Sequence, residues 1–238
     1  MTLRVLGNID HFRGSILASM MAAIGGTVTD RGSVTIAWLP RGEKRPEGLC
    51  INRDTDADKH NLADHFFRVF GYPLGVDPVN HCGQVVLKSL RNGAHDGQVL
   101  TAPITTQSSS AVYQHLIDNR TFGGIIDLRI PFIAGIAPVC WIKCRPIEKR
   151  FASQSAWARL ATPNELFSAD EQRLITQFCQ EVCLEYGEVD VLRDVQSDSI
   201  YVVDVNPTPY PLTNGIASRD WTRAVQQMAV RFREVFLS

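Results

Sequence analysis

The amino-acid sequence predicts a mixed fold, α+β or α/β, and three observations carry that expectation. A helical stripe recurs at Leu62, Phe66, Val69 and Phe70, spaced i, i+4, i+7 and i+8. A capping box, Ser168-Ala169-Asp170-Glu171, opens a second stripe of Leu174, Ile175, Phe178 and Val182. Two strand-like runs, Glu188–Arg193 and Ile200–Val205, flank Gln196-Ser197-Asp198-Ser199 as a hairpin. The chain's 238 residues allow one large domain or two small ones. A formal charge of −1, with 45% apolar and 21% charged residues, excludes a disordered acidic tail and leaves no global basic field for nucleic acid.

In chain order, Leu3–Leu6 is a short strand and Ile16–Ile24 a buried helix closed by Gly25-Gly26. Val34–Trp38 is the next strand, ended by Pro40. The first amphipathic helix runs from about Asp58 to Phe70, with Asp56 as its cap and Gly71 as its stop. Gln84–Leu90 is a strand, Arg91-Asn92-Gly93 a turn and Gln98–Ala102 the return strand. Ala111–Ile117, Gly124–Phe132 and Ala137–Lys143 are further strands. Ser168 then caps a helix that Gly187 follows, and a last helix from about Trp221 to Phe236 turns Val225, Met228, Phe232 and Val235 inward.

No window approaches the roughly 18 apolar residues of a membrane span. Ile16–Gly25 follows Asp10 and His11 rather than a basic start, so it is read as a buried helix and not as a secretory signal. The six cysteines are expected to be free cytosolic thiols. A shared zinc is not expected: Cys140 and Cys144 sit ~13 Å apart along a strand, at ~3.3 Å per residue. Cys179 and Cys183 form a separate pair on a helix.

The hairpin carries the strongest chemical signal. Side chains alternate across a strand, so Asp204 and Asn206 face away from Val203 and Val205, and pairing can bring Asp190 beside Asp204. Two carboxylates and an amide oxygen are hard ligands suited to Mg²⁺ or Mn²⁺; a hairpin with solvated polar side chains is the alternative. Lys88 ends an apolar strand ahead of a turn holding Gly93, His95 and Gly97, an arrangement that can hold phosphate. His95 either touches that phosphate or forms the turn. Asp127 and Arg129 share a strand face, and Lys143, Arg145, Lys149 and Arg150 follow. These cations can neutralise a polyphosphate or form a solvated charged edge.

The order of these features over residues 50–215 resembles the ATP-grasp superfamily. Asp190 followed by Asp204-Val205-Asn206-Pro207 is similar to the family's metal-binding strand pair, with aspartate where most members carry glutamate. The resemblance makes Asp190, Asp204 and Asn206 metal ligands. It makes Lys88 the strand lysine on the α-phosphate and adenine, and Gly93, His95 and Gly97 part of the phosphate lid. Tyr113-Gln114-His115-Leu116-Ile117 resembles the hinge strand that reads adenine, implicating Gln114, His115 and Leu116. Asp127-Leu128-Arg129 resembles the strand whose acid reaches ribose or the lysine network and whose arginine reaches phosphate. Lys149-Arg150-Phe151 resembles the later basic site, and Lys59 the lysine of a "D-K" segment.

The fold implied is α+β: a reduced N-terminal α/β segment (1–50), a small subdomain with the phosphate lid (51–118) and a large subdomain with the metal site (119–238). The activity implied is joining of a carboxylate, amino-acid or peptide-like, to an amine through an acyl phosphate. ATP and Mg²⁺ (or Mn²⁺) would be the cofactors, with Arg129 and Arg150 on the transferring phosphoryl group. The substrate loops would be Asn206–Gly215 and Phe151–Glu165. Small-molecule substrates, a cytoplasmic setting and neither nucleic acid nor membrane as partner are expected. The short N-terminal region leaves a homodimer open. An ATP-grasp kinase and a non-catalytic nucleotide-binding partner subunit are the alternatives.

Overall fold

The computed structural model describes residues 1–38, 50–91, 94–105, 107–212 and 215–238. β1 (Thr2–Gly7) pairs in parallel with β2 (Thr27–Val28) on one side and β3 (Val34–Trp38) on the other. Between them run α1 (Ile9–Arg13), capped by the Asn8 side chain, and α2 (Ile16–Ala23), capped by Ser15. Gly25, at φ 64°, ends α2 as expected, because left-handed backbone favours a residue without Cβ.

The amphipathic helix is α3 (Lys59–Phe70), burying Leu62, Phe66 and Phe70, and Gly71 ends it at φ 77°. Its cap is Asp58 rather than Asp56. The Asp58 carboxylate accepts the His60 N–H, while Asp56 lies too far ahead and accepts the Asp58 N–H and the Asn61 amide instead. The second sheet is antiparallel: β4 (Gly83–Ser89) lies between β5 (Gln98–Ala102) and β6 (Ala111–His115). Pro40, and Asn92 and Gly93 of the expected turn, lie outside the described residues.

The third sheet has the order β10-β9-β8-β11-β12, built from β8 (Gly124–Ile133), β9 (Cys140–Arg145), β10 (Trp157–Ala161), β11 (Tyr186–Arg193) and β12 (Ile200–Asn206). β7 (Arg120–Thr121) pairs with β8 alone. Before β11 come α4 (Pro163–Leu166) and α5 (Ala169–Glu181), the latter opened by the Ser168–Glu171 capping box. Gly187 does not stop α5; Cys183 does, at φ 52°. Gly187 belongs to β11, where a Cβ would stand 2.5 Å from the Asn206 carbonyl oxygen, so glycine there lets the two strands meet. The last helix, α6 (Ser218–Phe236), buries Val225, Met228 and Phe232.

Two cores follow from the alternation. α3 and α5 cover one face of the third sheet, packing Phe66, Phe70 and Phe178 on Leu128, Ile130, Val189, Val191 and Val205. α2, α6 and the first sheet cover one end of the opposite face through Trp38, Met20, Met228 and Phe232, against Ile133, Trp141 and Tyr186. The rest of that opposite face is polar. No helix among the described residues is long and apolar enough to cross a membrane, and all six cysteines are free thiols.

Candidate active site

The polar face is assembled by strand register. Asp190 on β11 lies opposite Asp204 on β12 and opposite Arg129 on β8, while Asp127 on β8 lies opposite Lys143 on β9. Arg129 Nε donates to Asp190 Oδ1 at 3.0 Å, and Lys143 Nζ donates to the same oxygen at 3.1 Å. Arg145 pairs with Asp127, whose Oδ1 also accepts the Asn119 amide at 3.1 Å. Arg150 donates to Asn119 Oδ1 at 2.8 Å and to the Ile117 carbonyl at 3.3 Å.

The two facing aspartates are in opposite electrostatic situations. Burial alone would raise Asp190, but the Arg129 and Lys143 charges and their hydrogen bonds outweigh it and hold the carboxyl well below the usual range. Burial, reinforced by Asp190, pushes Asp204 up, and Lys88 opposes this only in part. The Asp204 carboxylate accepts no hydrogen bond among the described residues. Burial likewise pulls Lys88 and Lys143 down, against the pull of the neighbouring carboxylates. Glu188, two residues before Asp190, is 2% exposed and pushed up to about 7 by burial, with Arg129 opposing.

β12 carries a bulge at this point. Asp190 pairs with Asp204 but Val191 pairs with Val202, so Val203 is an extra residue without a partner on β11. Its carbonyl oxygen accepts the Lys88 Nζ of β4 at 3.3 Å, tying the second sheet to the rim of the third. Lys59, at the start of α3, donates to the Ser89 and Arg91 carbonyls at 3.3 and 2.8 Å, holding the end of β4 from the other side.

A cavity of about 1250 Å³ lies between the second sheet and this polar face. Lys59, Lys88, His95, Gly97, Gln114 and His115 line it from the first side. Asp127, Arg129, Arg150, Asp190, Asp204 and Asn206 line it from the second. Gly97 sits against the Phe151 ring, where a Cβ would stand 2.3 Å from ring Cδ1, so glycine allows the close approach. Lys149 is not among the lining residues, and Gly93 lies outside the described ones. Leu116 also does not line the cavity, although Ile117, the next residue, does. The His115 N–H donates to the Leu74 carbonyl at 3.0 Å.

The cavity continues beyond Asn206, past Asn52 and Arg53. Pro207, Thr208, Tyr210 and Leu212 line it there, with Asn8, His11 and Trp38 from the first sheet and Ser153 and Ser155 opposite. The Trp38 indole N–H donates to His11 Nδ1 at 2.9 Å, so a neutral His11 carries its proton on Nε2 as a donor. The Tyr210 hydroxyl donates to the His11 carbonyl at 2.6 Å and its ring meets the His11 ring edge-on at 4.5 Å.

The oxygen set of Asp190, Asp204 and Asn206 fits a hard divalent cation. A half-buried carboxylate that faces the cavity without a hydrogen bond suits one, and such ions take one or two protein carboxylates with phosphate oxygens completing the shell. Asn206 Oδ1 accepts the Thr208 N–H at 3.1 Å, which fixes its amide. Among the described residues no three His, Cys, Asp or Glu side chains cluster as a ready-made metal site. The cations around the cavity suit a polyphosphate.

These features define an ATP-grasp fold, and comparison with solved structures agrees. Macrocyclase MdnC bound with precursor peptide MdnA, from Microcystis aeruginosa MRC, superposes with a TM-score of 0.61 at 12% identity over 100% of both chains. The ATP-grasp ligase PsnB complexed with precursor peptide PsnA2 and AMPPNP gives 0.59 at 11%, over 98% of this chain and 96% of that one. D-alanine–D-alanine ligase from Bacillus anthracis gives 0.56 at 11%, over 99% and 97%. At such identities the likeness is one of fold. No family model and no curated protein matches the sequence.

Sequence reasoning missed Glu188, His11 and Trp38 as contributors and named Lys143 without its partner. Glu188 shares strand parity with Asp190, a signal that was present. Lys143 was legible only as part of a basic cluster, not as the partner of Asp190. His11 and Trp38 carry no local signal, because contacts from a distant part of the chain bring them to the cavity.

Proposed function

We propose that the protein is an ATP- and Mg²⁺-dependent ligase that joins a carboxylate to an amine through an acyl phosphate. One observation carries this reading: a single cavity gathers the cations Lys88, Arg129 and Arg150 with the oxygens of Asp190, Asp204 and Asn206. Attack of a carboxylate on ATP brings anion toward anion. Lys88, Arg129 and Arg150 offset that repulsion and stabilise the transferring phosphoryl group. Mg²⁺, held by Asp190, Asp204 and Asn206, would neutralise charge on the phosphates and orient them. The lid segment against Phe151 excludes water, which would otherwise hydrolyse the acyl phosphate before the amine attacks. On this reading residues 51–118 and 119–238 are the lobes that hold the nucleotide, and 1–50 completes the substrate end. Support comes from the fold's occupants elsewhere: PsnB complexed with Mg and ADP, and D-alanine–D-alanine ligase complexed with ATP.

The test is ATP turnover with panels of carboxylates and amines, with hydroxylamine as trap. A ligase releases ADP and phosphate with an amide product, and hydroxylamine diverts the acyl group to a hydroxamate. A phosphorylated substrate would make it a kinase, and nucleotide binding without turnover a partner subunit. Lys88→Ala is expected to lower ATP turnover by at least about a hundredfold. A variant as active as the parent would remove Lys88 from the phosphate site.

The region around His11 would hold the acid or the amine rather than the nucleotide. It offers aromatic surface and neutral donors instead of a cluster of cations. His11→Ala is therefore expected to raise the substrate KM about tenfold, the order of one lost hydrogen bond, with the ATP KM unchanged. A shift in the ATP KM alone would move the nucleotide to this end of the cavity.

A further inference from the structure

Arg129 is shared between two carboxylates of unequal access. Its Nε and Nη2 face Asp190 Oδ1 and Oδ2 at 3.0 and 3.4 Å, and its Nη1 faces Glu188 Oε2 at 3.5 Å. Asp190 lines the cavity; Glu188 does not, and it is sealed at 2% exposure. Both Glu188 carboxylate oxygens are buried without a hydrogen bond. Buried polar groups are ordinarily satisfied, so a carboxylate in this condition costs stability and calls for a reason.

The register supplies one. Glu188 and Asp190 share a face of β11, opposite Asn206 and Asp204 respectively, and Arg129 lies between the two acids. If Asp190 engages a divalent cation, as the ligase reading requires, its hold on Arg129 weakens. Without a second anion the guanidinium would either compete with the metal for Asp190 or swing into the cavity. We propose that Glu188 is a positioning residue, holding Arg129 in place from beneath while Asp190 serves the cation. Its charge also offsets Arg129 and Lys143, the two cations that would otherwise repel a metal at Asp190.

The experiment measures Mn²⁺ binding by paramagnetic resonance in the presence of AMPPNP, with melting temperature recorded alongside. It compares the parent, Glu188→Gln, Arg129→Gln and the double variant. Glu188→Gln is expected to weaken Mn²⁺ binding about tenfold without lowering the melting temperature, and to have no further effect once Arg129 is Gln. Unchanged Mn²⁺ binding in Glu188→Gln overturns the proposal. So does a loss that persists without Arg129, which would make Glu188 act on the metal directly. A weaker affinity accompanied by a lower melting temperature overturns it in favour of a merely structural role. A parent chain that takes up no Mn²⁺ with AMPPNP overturns the ligase reading itself, and this inference with it.

Discussion

Asp204→Asn should cut ATP turnover by about a thousandfold and leave the protein no less stable. Loss of turnover follows because the amide has no charge to offer a divalent cation, and the site keeps only one carboxylate facing the phosphates. The stability follows from the sign of the shift. Burial, then Asp190, raises the Asp204 carboxyl in the folded chain. A group raised on folding contributes stability that is fully present below its unfolded value, about 3.9, and is lost as pH rises through the folded one. Above that window the charged Asp204 is a cost, and Asn removes it. Thermal melts across pH 4 to 8 should show the variant equal to the parent at the acid end and at least as stable at the neutral end. A variant that melts much earlier at neutral pH would mean that Asp204 is held by partners, not waiting for a cation. Retained turnover would remove it from the metal site.

Asp190→Ala should have the opposite thermal outcome. It leaves Lys143, 1% exposed, and Arg129 without their shared acceptor. Removing one partner of a buried ionic set costs about 3–5 kcal/mol, which in a chain of this size lowers the melting temperature by roughly 10 °C. Because Asp190 is held well below the ordinary carboxylate range, its contribution is present above pH ~4 and is lost only as pH falls toward the native value. The deficit of the alanine variant should therefore shrink in acid. If the variant does not fold, Asp190→Ala with Lys143→Met provides the check, since removing the orphaned ammonium should recover part of the loss. A melting temperature within 2 °C or so of the parent at neutral pH would mean that Arg129 and Lys143 find other partners, and that Asp190 is less central to this face than its three hydrogen bonds imply.

Those two aspartates also mark how far sequence reading reached. Their parity, and the polarity of the face they share, follows from strand alternation, which needs no knowledge of the rest of the chain. Lys88, Arg129 and Asp127 were legible for the same reason, each a charge set in an apolar strand run. Gly71, Gly25 and the Ser168–Glu171 box were legible because helix ends impose backbone demands that few residues meet. The Asp58 cap was misjudged by two residues, since Asp56 offers the same carboxylate and only the turn geometry chooses between them.

What the sequence by itself determined was therefore local: helix stripes, caps, strand faces and the chemical kind of each polar position. Tertiary structure alone decided which of those positions meet. It gave Asp190 to Arg129 and Lys143 and left the Asp204 carboxylate without a hydrogen bond among the described residues. It placed the bulge at Val203 whose carbonyl receives Lys88, buried Glu188 beneath Arg129, and carried His11 and Trp38 to the far end of the cavity. The physical reason is that strand alternation and capping act over a few neighbouring residues. Strand register, desolvation and charge pairing depend on groups far apart in the chain, and exist only once the sheets have packed.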